Sequence, residues 1–156
     1  IAGCINIIAV GGNEESLKLA LELGATHAIN RKSCEDISGR IREITGDGAD
    51  YAVETSGVLS MLHTALDSLN YLGKLAPAGG TLGLKDFMLG GKSLVGVSMG
   101  YSNPKLFIPI LVDYQRQGRF PVEKIMKFYD YSQINEAFED SISGKAIKAV
   151  LVRRKV

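Results

Sequence analysis

The sequence predicts an α/β protein built on an open, mostly parallel sheet. Short apolar runs rich in β-branched residues alternate with amphipathic segments of about ten residues, a pattern typical of repeated strand–helix–strand units. The first run, INIIAV at 5–10, is apolar except for Asn6, which predicts a strand buried on both faces. The chain of 156 residues has the length of one domain and shows neither an internal repeat nor a low-complexity linker.

Caps, breakers and hydrophobic periodicity define the elements of the first half. Asn13 is predicted to cap a helix. In order, the predicted elements are a strand at 5–10, a helix from Asn13 to Gly24, a strand at 26–30, a helix capped by Ser33 or Cys34 and ended by Gly46, a strand at 50–57, a helix over 58–70 and a strand at 73–80. The apolar faces of the three helices carry Leu17, Ala20 and Leu21, then Ile37, Ile41 and Ile44, then Leu59, Leu62, Leu66 and Leu69.

The second half continues the alternation. Asn103 and Pro104 are residues typical of a helix cap and first turn, and they predict a helix through Arg116 that can bend at Pro109. The remaining predicted elements are a strand at 93–100, a strand near 124–129, a helix at 133–143 and a strand at 147–153.

Composition excludes several functional classes. Apolar residues make up 46% and charged residues 22% of the chain, which predicts a packed core rather than disorder. Net charge is +1 and the longest basic run is three residues, at 153–155, so neither a nucleic-acid nor a membrane partner is predicted. Two cysteines, Cys4 and Cys34, make neither a disulfide framework nor a zinc site, and a cytoplasmic location is predicted.

Small residues follow three of the predicted strands: Gly11-Gly12, Thr55-Ser56-Gly57 and Gly79-Gly80. In open α/β sheets a ligand binds beyond the carboxyl ends of the strands, and small residues there let a flat ligand approach the backbone. Each end alone is equally consistent with a tight strand-to-helix turn. Three equivalent ends together predict a ligand crevice.

Residues for catalysis or metal binding are scarce. No GxGxxG motif occurs, and GGTLG at 79–83 is a poor substitute because no helix plainly follows it. His27 and His63 are predicted to have structural or surface roles, and both cysteines are predicted to be packing residues. The residues themselves therefore predict no catalytic side chain and no metal site.

Four stretches together resemble the medium-chain, zinc-type alcohol dehydrogenases, and in particular their aryl- and benzyl-alcohol branch: ELGATHAINRKS, GADYAVETSG, LGKLAPAGG and GRFPVEKIMKFYDYSQINEAFEDSISGKAIKAVLV. The resemblance covers 1–156 but only the C-terminal, cofactor-binding half of such an enzyme. It implies a Rossmann-type doubly wound parallel sheet whose first strand and GxGxxG loop would precede Ile1. Residues from about 101 to 156 match the tail that in the family packs back toward the catalytic domain.

A missing first strand has a physical consequence. The usual strand order is 3-2-1-4-5-6, so strands 2 and 4 would each keep an unpaired edge, which a buried sheet does not tolerate. We therefore expect the isolated chain either to re-pair these edges or to belong to a longer polypeptide.

The resemblance also implies an activity. The expected enzyme is an NAD(P)-dependent oxidoreductase that transfers a hydride between a primary, aromatic alcohol and its cofactor, and this part alone would be inactive. Zinc would belong to the intact enzyme without a ligand from this chain. A homodimer or higher homo-oligomer would form through the edge strand at 93–99. A zinc-free quinone or enoyl reductase and a non-catalytic nucleotide-binding module stay open as alternatives.

The residues that match cofactor-binding positions of the family are Gly11, Gly12, Asn13, Arg31, Thr55, Ser56, Gly57, Ala78, Gly79, Gly80, Val97 and Lys148. Gly11 stands where NAD-specific members carry a ribose-binding aspartate. Its lack of charge, with Arg31 nearby, favours a cofactor that carries a 2′-phosphate. We therefore expect NADP to be slightly preferred, or both NADP and NAD to be accepted. Glu14 and Glu15 would oppose this preference, but they are expected to face solvent.

Overall fold

The computed structural model describes residues 2–78, 91–97 and 99–153, without the side chain of Met99. The elements are β1 (Ile8–Gly11), α1 (Glu14–Glu22), β2 (His27–Asn30), α2 (Ile37–Thr45), β3 (Ala49–Glu54), α3 (Leu59–Asp67), β4 (Leu69–Pro77), β5 (Ser93–Leu94), α4 (Pro104–Arg116), β6 (Met126–Asp130), α5 (Ile134–Ser143) and β7 (Lys148–Val152). The described strand pairs are parallel, which confirms the predicted α/β class. The chain divides into a first unit, Ile1–Ser102, and a second unit, Asn103–Val156.

The strands of the first unit form two separate parallel sheets. β1 pairs with β2 from Ile8 opposite His27 to Gly11 opposite Asn30. The second sheet has the order β3-β4-β5. Within the described part of this unit no strand bonds β1 to β3, so re-pairing of these edges, the first of the two expected alternatives, is not observed.

Two apolar clusters hold the first unit together. Leu62 and Leu66 of α3 pack with Leu69 and Leu75 of β4, and Leu75 is fully buried. The second cluster consists of Ile29, Ile37 and Ile41, with Ile8, Val10, Ala49 and Met61 packed against it. Because the second cluster joins β1, β2 and α2 to residues of β3 and α3, the two sheets belong to one core.

The strand predicted at 5–10 differs from the observed one. Ile5 is 89% exposed and lies before β1, and the strand runs on to Gly11. The residues of β1 are half-buried rather than buried. The prediction of full burial was wrong: in the described part of the chain β1 has a neighbouring strand along one edge only, so its other edge is open.

The predicted cap of α2 was also wrong. Asp36, not Ser33 or Cys34, caps this helix, and its carboxylate accepts a hydrogen bond from the Gly39 N–H at 2.8 Å. The N–H groups of Ser33 and Cys34 donate instead to the carbonyl of Asn30, at 3.1 and 3.0 Å. Those two residues therefore form the turn that leaves β2.

Two more elements are shorter in the structure than the sequence predicts. α3 ends at Asp67, and Leu69 begins β4, where it is buried. The strand predicted at 93–100 is reduced to Ser93–Leu94, and Ser98 lies outside the described residues. In the helices, Leu21 and Leu59 are 44% and 52% exposed, so they do not belong to the buried stripes in which they were predicted.

The second unit contains α4 and the parallel β6–β7 pair with α5 between them in sequence. Asn103 caps α4, which continues through Pro109 to Arg116, as the sequence predicts. Buried Asp140 of α5 accepts hydrogen bonds from the Tyr129 hydroxyl at 2.8 Å and the Lys127 ammonium at 2.5 Å. The bond from Lys127, and then that from Tyr129, lowers the pKa of the Asp140 carboxyl. This network ties α5 to β6.

Candidate functional site

A cleft of about 430 Å³ in the first unit is lined by residues of both β1 and β3. Its walls include the apolar strand residues Ile8, Val10, Ala52 and Val53. At the ends of these strands and just after them, the cleft is lined by mostly small or polar residues and by one apolar residue, Val58: Gly11, Gly12, Arg31, Glu54, Thr55, Ser56 and Val58. Two of the three predicted strand ends therefore meet at one cleft.

The other predicted site residues are distributed differently. Ala78 lies beside the end of β3, because its N–H donates to the Glu54 carbonyl at 2.7 Å. Gly79 and Gly80 lie outside the described residues. Val97 follows β5 and is 44% exposed. Lys148 is exposed at the start of β7, in the second unit.

Two cationic side chains lie against the Gly11-Gly12 turn. The Arg31 N–H donates to the Gly11 carbonyl at 2.8 Å. A Cβ atom built on Gly12 would lie 3.1 Å from Nε of Arg31 and 3.2 Å from Cε of Lys32, closer than ordinary van der Waals contact. Because Gly12 has no side chain, the side chains of Arg31 and Lys32 can occupy the space beside it. Sequence reasoning missed Lys32, although a basic pair directly after β2 was a visible signal.

The start of α1 adds an anionic group to the same turn. Asn13 caps the helix, and its side chain accepts from the Ser16 N–H at 3.0 Å. Glu14 and Glu15 are exposed, as expected. Glu14 is more than a solvent-facing charge, however, because its carboxylate accepts a hydrogen bond from the side-chain amide of Asn30.

A buried carboxylate organises the loop that follows β3. Glu54 is 7% exposed and accepts hydrogen bonds from the Ser56 N–H at 2.8 Å, from the Ser56 hydroxyl, and from the Gly57 N–H at 2.9 Å. Burial raises the pKa of the Glu54 carboxyl, but these hydrogen bonds outweigh it, so the pKa lies below its ordinary value. The loop 55–57 is thereby held at the cleft. Sequence reasoning missed Glu54, because it was treated as part of the strand end.

The described residues offer no metal-binding group. In residues 2–78, 91–97 and 99–153, no three His, Cys, Asp or Glu side chains are grouped so that they could hold an ion. Cys4 and Cys34 are free thiols, and Nδ1 of His27 contacts the Thr26 hydroxyl at 2.9 Å. The donor set that zinc requires is thus not found in this part of the chain.

Parallel strand–helix units whose small residues meet at a common cleft are typical of an open α/β domain of the Rossmann-like type. The family model described as zinc-binding dehydrogenase matches residues 1–114. The chain therefore belongs to the family of zinc-type, medium-chain alcohol dehydrogenases, and the predicted resemblance is confirmed. No helix in the described ranges combines the length and apolar character needed to cross a bilayer.

Three similar proteins illustrate the family. The structure of benzyl alcohol dehydrogenase from Acinetobacter calcoaceticus is 39% identical with a TM-score of 0.91, over 97% of this chain and 44% of that one. An alcohol dehydrogenase zinc-binding domain protein from Burkholderia ambifaria is 42% identical with a TM-score of 0.92, over 99% and 43%. Geraniol dehydrogenase of Castellaniella defragrans is 32% identical, over 96% of this chain and 42% of its own length. The chain spans less than half the length of these relatives.

Proposed function

We propose that this chain is the cofactor-binding part of an NAD(P)-dependent alcohol dehydrogenase. The observation that carries the proposal is the meeting of Gly11-Gly12 and Thr55-Ser56 at one cleft, in a chain that belongs to the zinc-binding dehydrogenase family. When bound, the nicotinamide cofactor would supply the hydride acceptor. Similarity to a benzyl alcohol dehydrogenase supports primary aromatic alcohols as the substrate class.

The residues of this chain would bind and orient the cofactor. Gly11, Gly12, Asn13 and Arg31 would hold the adenosine ribose, because they surround the ends of β1 and β2. The loop 55–57 would run along the cofactor, positioned by Glu54. By family resemblance, Ala78, Gly79 and Gly80 would pass the nicotinamide ribose, Val97 would contact the carboxamide, and Lys148 would reach the pyrophosphate.

We propose that both NADP and NAD are accepted, with NADP slightly preferred. The absence of a side chain at Gly11 removes the carboxylate that would repel a 2′-phosphate. Support comes from Arg31 and Lys32, which lie against Gly12 and together can offer charge-assisted hydrogen bonds to a phosphate. Zinc ligands and the alcohol pocket would be supplied by residues outside this chain, in a cytoplasmic enzyme.

Self-association through 93–99 also belongs to the proposal. β5 bonds to β4 on one side, and in the described part of the chain its other side has no strand partner. Leu94, Val95 and Val97 are 46%, 37% and 44% exposed. An uncharged, apolar strand edge of this kind is stabilised by pairing with a second copy.

Cofactor titration and turnover test the proposal. The full-length gene product that contains residues 1–156 is titrated with NAD⁺ and with NADP⁺, and benzyl alcohol oxidation is then followed by cofactor absorbance. We expect saturable binding of both nucleotides and turnover. Binding without turnover of any alcohol would favour a non-catalytic nucleotide-binding module. Binding of neither nucleotide would contradict the proposed function altogether.

A further inference from the structure

We infer that Glu14 sets the ratio of NAD to NADP affinity, by supplying from the helix the ribose-facing carboxylate that position 11 lacks. This inference rests on the proposed function, namely that the chain binds NAD(P). The sequence analysis expected the Glu14 side chain to face solvent, whereas the structure gives its carboxylate a partner at the strand ends, the side-chain amide of Asn30.

The position of the Glu14 carboxylate is the first observation. Gly11 and Asn30 are register partners and the last residues of β1 and β2. Glu14 is the first residue of α1, and its carboxylate accepts a hydrogen bond from the Asn30 side-chain amide. An anionic group is therefore held at the carboxyl ends of both strands, although residue 11 has no side chain.

The second observation is that Asn30 is itself held in place. Its side-chain oxygen accepts a hydrogen bond from the Lys32 N–H at 2.9 Å, so its amide nitrogen is left to donate to Glu14. The same short segment carries the Arg31 and Lys32 side chains that lie against Gly12. The glycine turn that lines the cleft thus has two cations against Gly12, and the register partner of Gly11, Asn30, holds the carboxylate.

These charges act in opposite directions on the two cofactors. A ribose with a free 2′-hydroxyl can donate a hydrogen bond to the Glu14 carboxylate, which favours NAD. A 2′-phosphate is attracted by Arg31 and Lys32 and repelled by Glu14. Glu14 therefore limits the NADP preference that the glycine and the two cations create, and the balance of the three charges yields a site that accepts both cofactors.

Glu14→Gln tests this inference. The glutamine keeps the length of the side chain and an oxygen that can accept from Asn30, so that chiefly the charge is lost. Glu15→Gln is the matched control, because it removes the same charge one residue further along the same exposed helical turn. Dissociation constants for NAD⁺ and NADP⁺ are measured on the full-length wild type and both variants.

We expect Glu14→Gln to raise the affinity for NADP relative to NAD by about tenfold, and Glu15→Gln to change this ratio by less than about twofold. Equal ratios in the two variants would overturn the inference and leave the proposed function standing. Failure of the wild type to bind either nucleotide would instead contradict the proposed function. If Glu14→Gln does not fold, Glu14→Ala must show the same rise in the ratio, and an unchanged ratio there would equally overturn it.

Discussion

Glycine at position 12 determines which side chains can lie over the end of β1. A side chain at position 12 would be crowded by Arg31 and Lys32. Because glycine has no side chain, these two cations can lie over the turn. Gly11 is crowded as well, because its Cβ would come 3.3 Å from Cδ2 of Leu17, a buried side chain of α1. An aspartate at position 11 would therefore need Leu17 to shift as well as change the charge of the site.

The first residue-scale prediction concerns Arg31. Arg31→Ala should weaken NADP binding by about 1.5–3 kcal/mol, the size of a hydrogen bond to a charged group, and leave NAD binding nearly unchanged. Isothermal titration of the full-length protein with both cofactors measures this. Arg40→Ala is the control, because Arg40 is an exposed arginine on α2 that pairs with Glu43 at 2.5 Å. Equal losses for NAD and NADP in Arg31→Ala would contradict the assigned role.

The second residue-scale prediction concerns Glu54. Its folded-state pKa is lowered by hydrogen bonds from Ser56 and Gly57 that outweigh burial. A carboxyl with a lowered pKa stabilises the fold above its unfolded-state pKa, and this contribution is lost as pH falls through the lower folded-state pKa. Glu54→Gln should therefore lower the free energy of unfolding at pH 7. This loss of stability should become smaller as the pH falls below 4.5, the ordinary pKa of a glutamate. Urea titrations from pH 7 to pH 2, with exposed Glu22→Gln as control, measure the difference; a deficit independent of pH would contradict the prediction.

At the scale of elements, the junction of α2 with β3 depends on how closely it approaches β4. Gly48 precedes β3 with a φ of +122°, and a Cβ there would lie 2.7 Å from the Asn70 nitrogen and 2.9 Å from the Ser68 carbonyl oxygen. Gly46, at the end of α2, also has a positive φ of +90°, but a Cβ there would meet nothing within 4 Å. A side chain at Gly46 would therefore meet backbone strain alone, whereas a side chain at Gly48 would meet both backbone strain and a steric clash.

Replacing these glycines by alanine should give unequal losses of stability. Gly46→Ala should lower the free energy of unfolding by about 1–2 kcal/mol, through positive φ alone. Gly48→Ala should lower it by about 3 kcal/mol or more, because the methyl group also meets backbone atoms that cannot move aside. Urea denaturation followed by circular dichroism measures both. If Gly48→Ala lowers the free energy of unfolding no more than Gly46→Ala does, the backbone of the β3–β4 junction moves to accommodate the methyl group, and the prediction is wrong.

At the scale of the whole molecule, the main feature is a set of strand edges that have no partner strand among the described residues. The Val95 N–H donates to the Leu75 carbonyl at 2.8 Å, toward β4. Because successive N–H groups of a strand point to opposite sides, those of Leu94 and Gly96 point toward the other side of β5. The apolar walls of the cleft between β1 and β3 correspond to the place expected for a further strand of the family's sheet, and that strand stays a prediction.

Self-association can be tested at Leu94. Leu94→Pro removes the outward N–H and should shift the full-length protein toward monomer in analytical ultracentrifugation. Leu94→Ala keeps that N–H and removes a similar amount of apolar side chain, so it should shift the equilibrium less. Val95→Pro is unsuitable, because it would break the bond to Leu75 within the chain. Equal association of Leu94→Pro and wild type would mean that the contact lies elsewhere.

The sequence by itself determined the α/β class, the order of the elements and the bounds of α4. These follow from hydrophobic periodicity and from local caps such as Asn13 and Asn103, whose partners lie within three residues. It also indicated that Gly11-Gly12 and Thr55-Ser56 stand at strand ends, because small residues after an apolar run are a local signal.

Only the tertiary structure decided which residues meet at those ends. The Glu14–Asn30 bond joins residues 16 positions apart, the Gly48–Asn70 approach joins residues of different elements, and the inward direction of the Val95 N–H depends on pairing with Leu75. Leu69 belongs to a strand rather than a helix because it pairs with Ala49 of β3, 20 positions earlier, as well as packing in the core. Such contacts arise when sheet and helices pack together, and no local pattern of residue types specifies them.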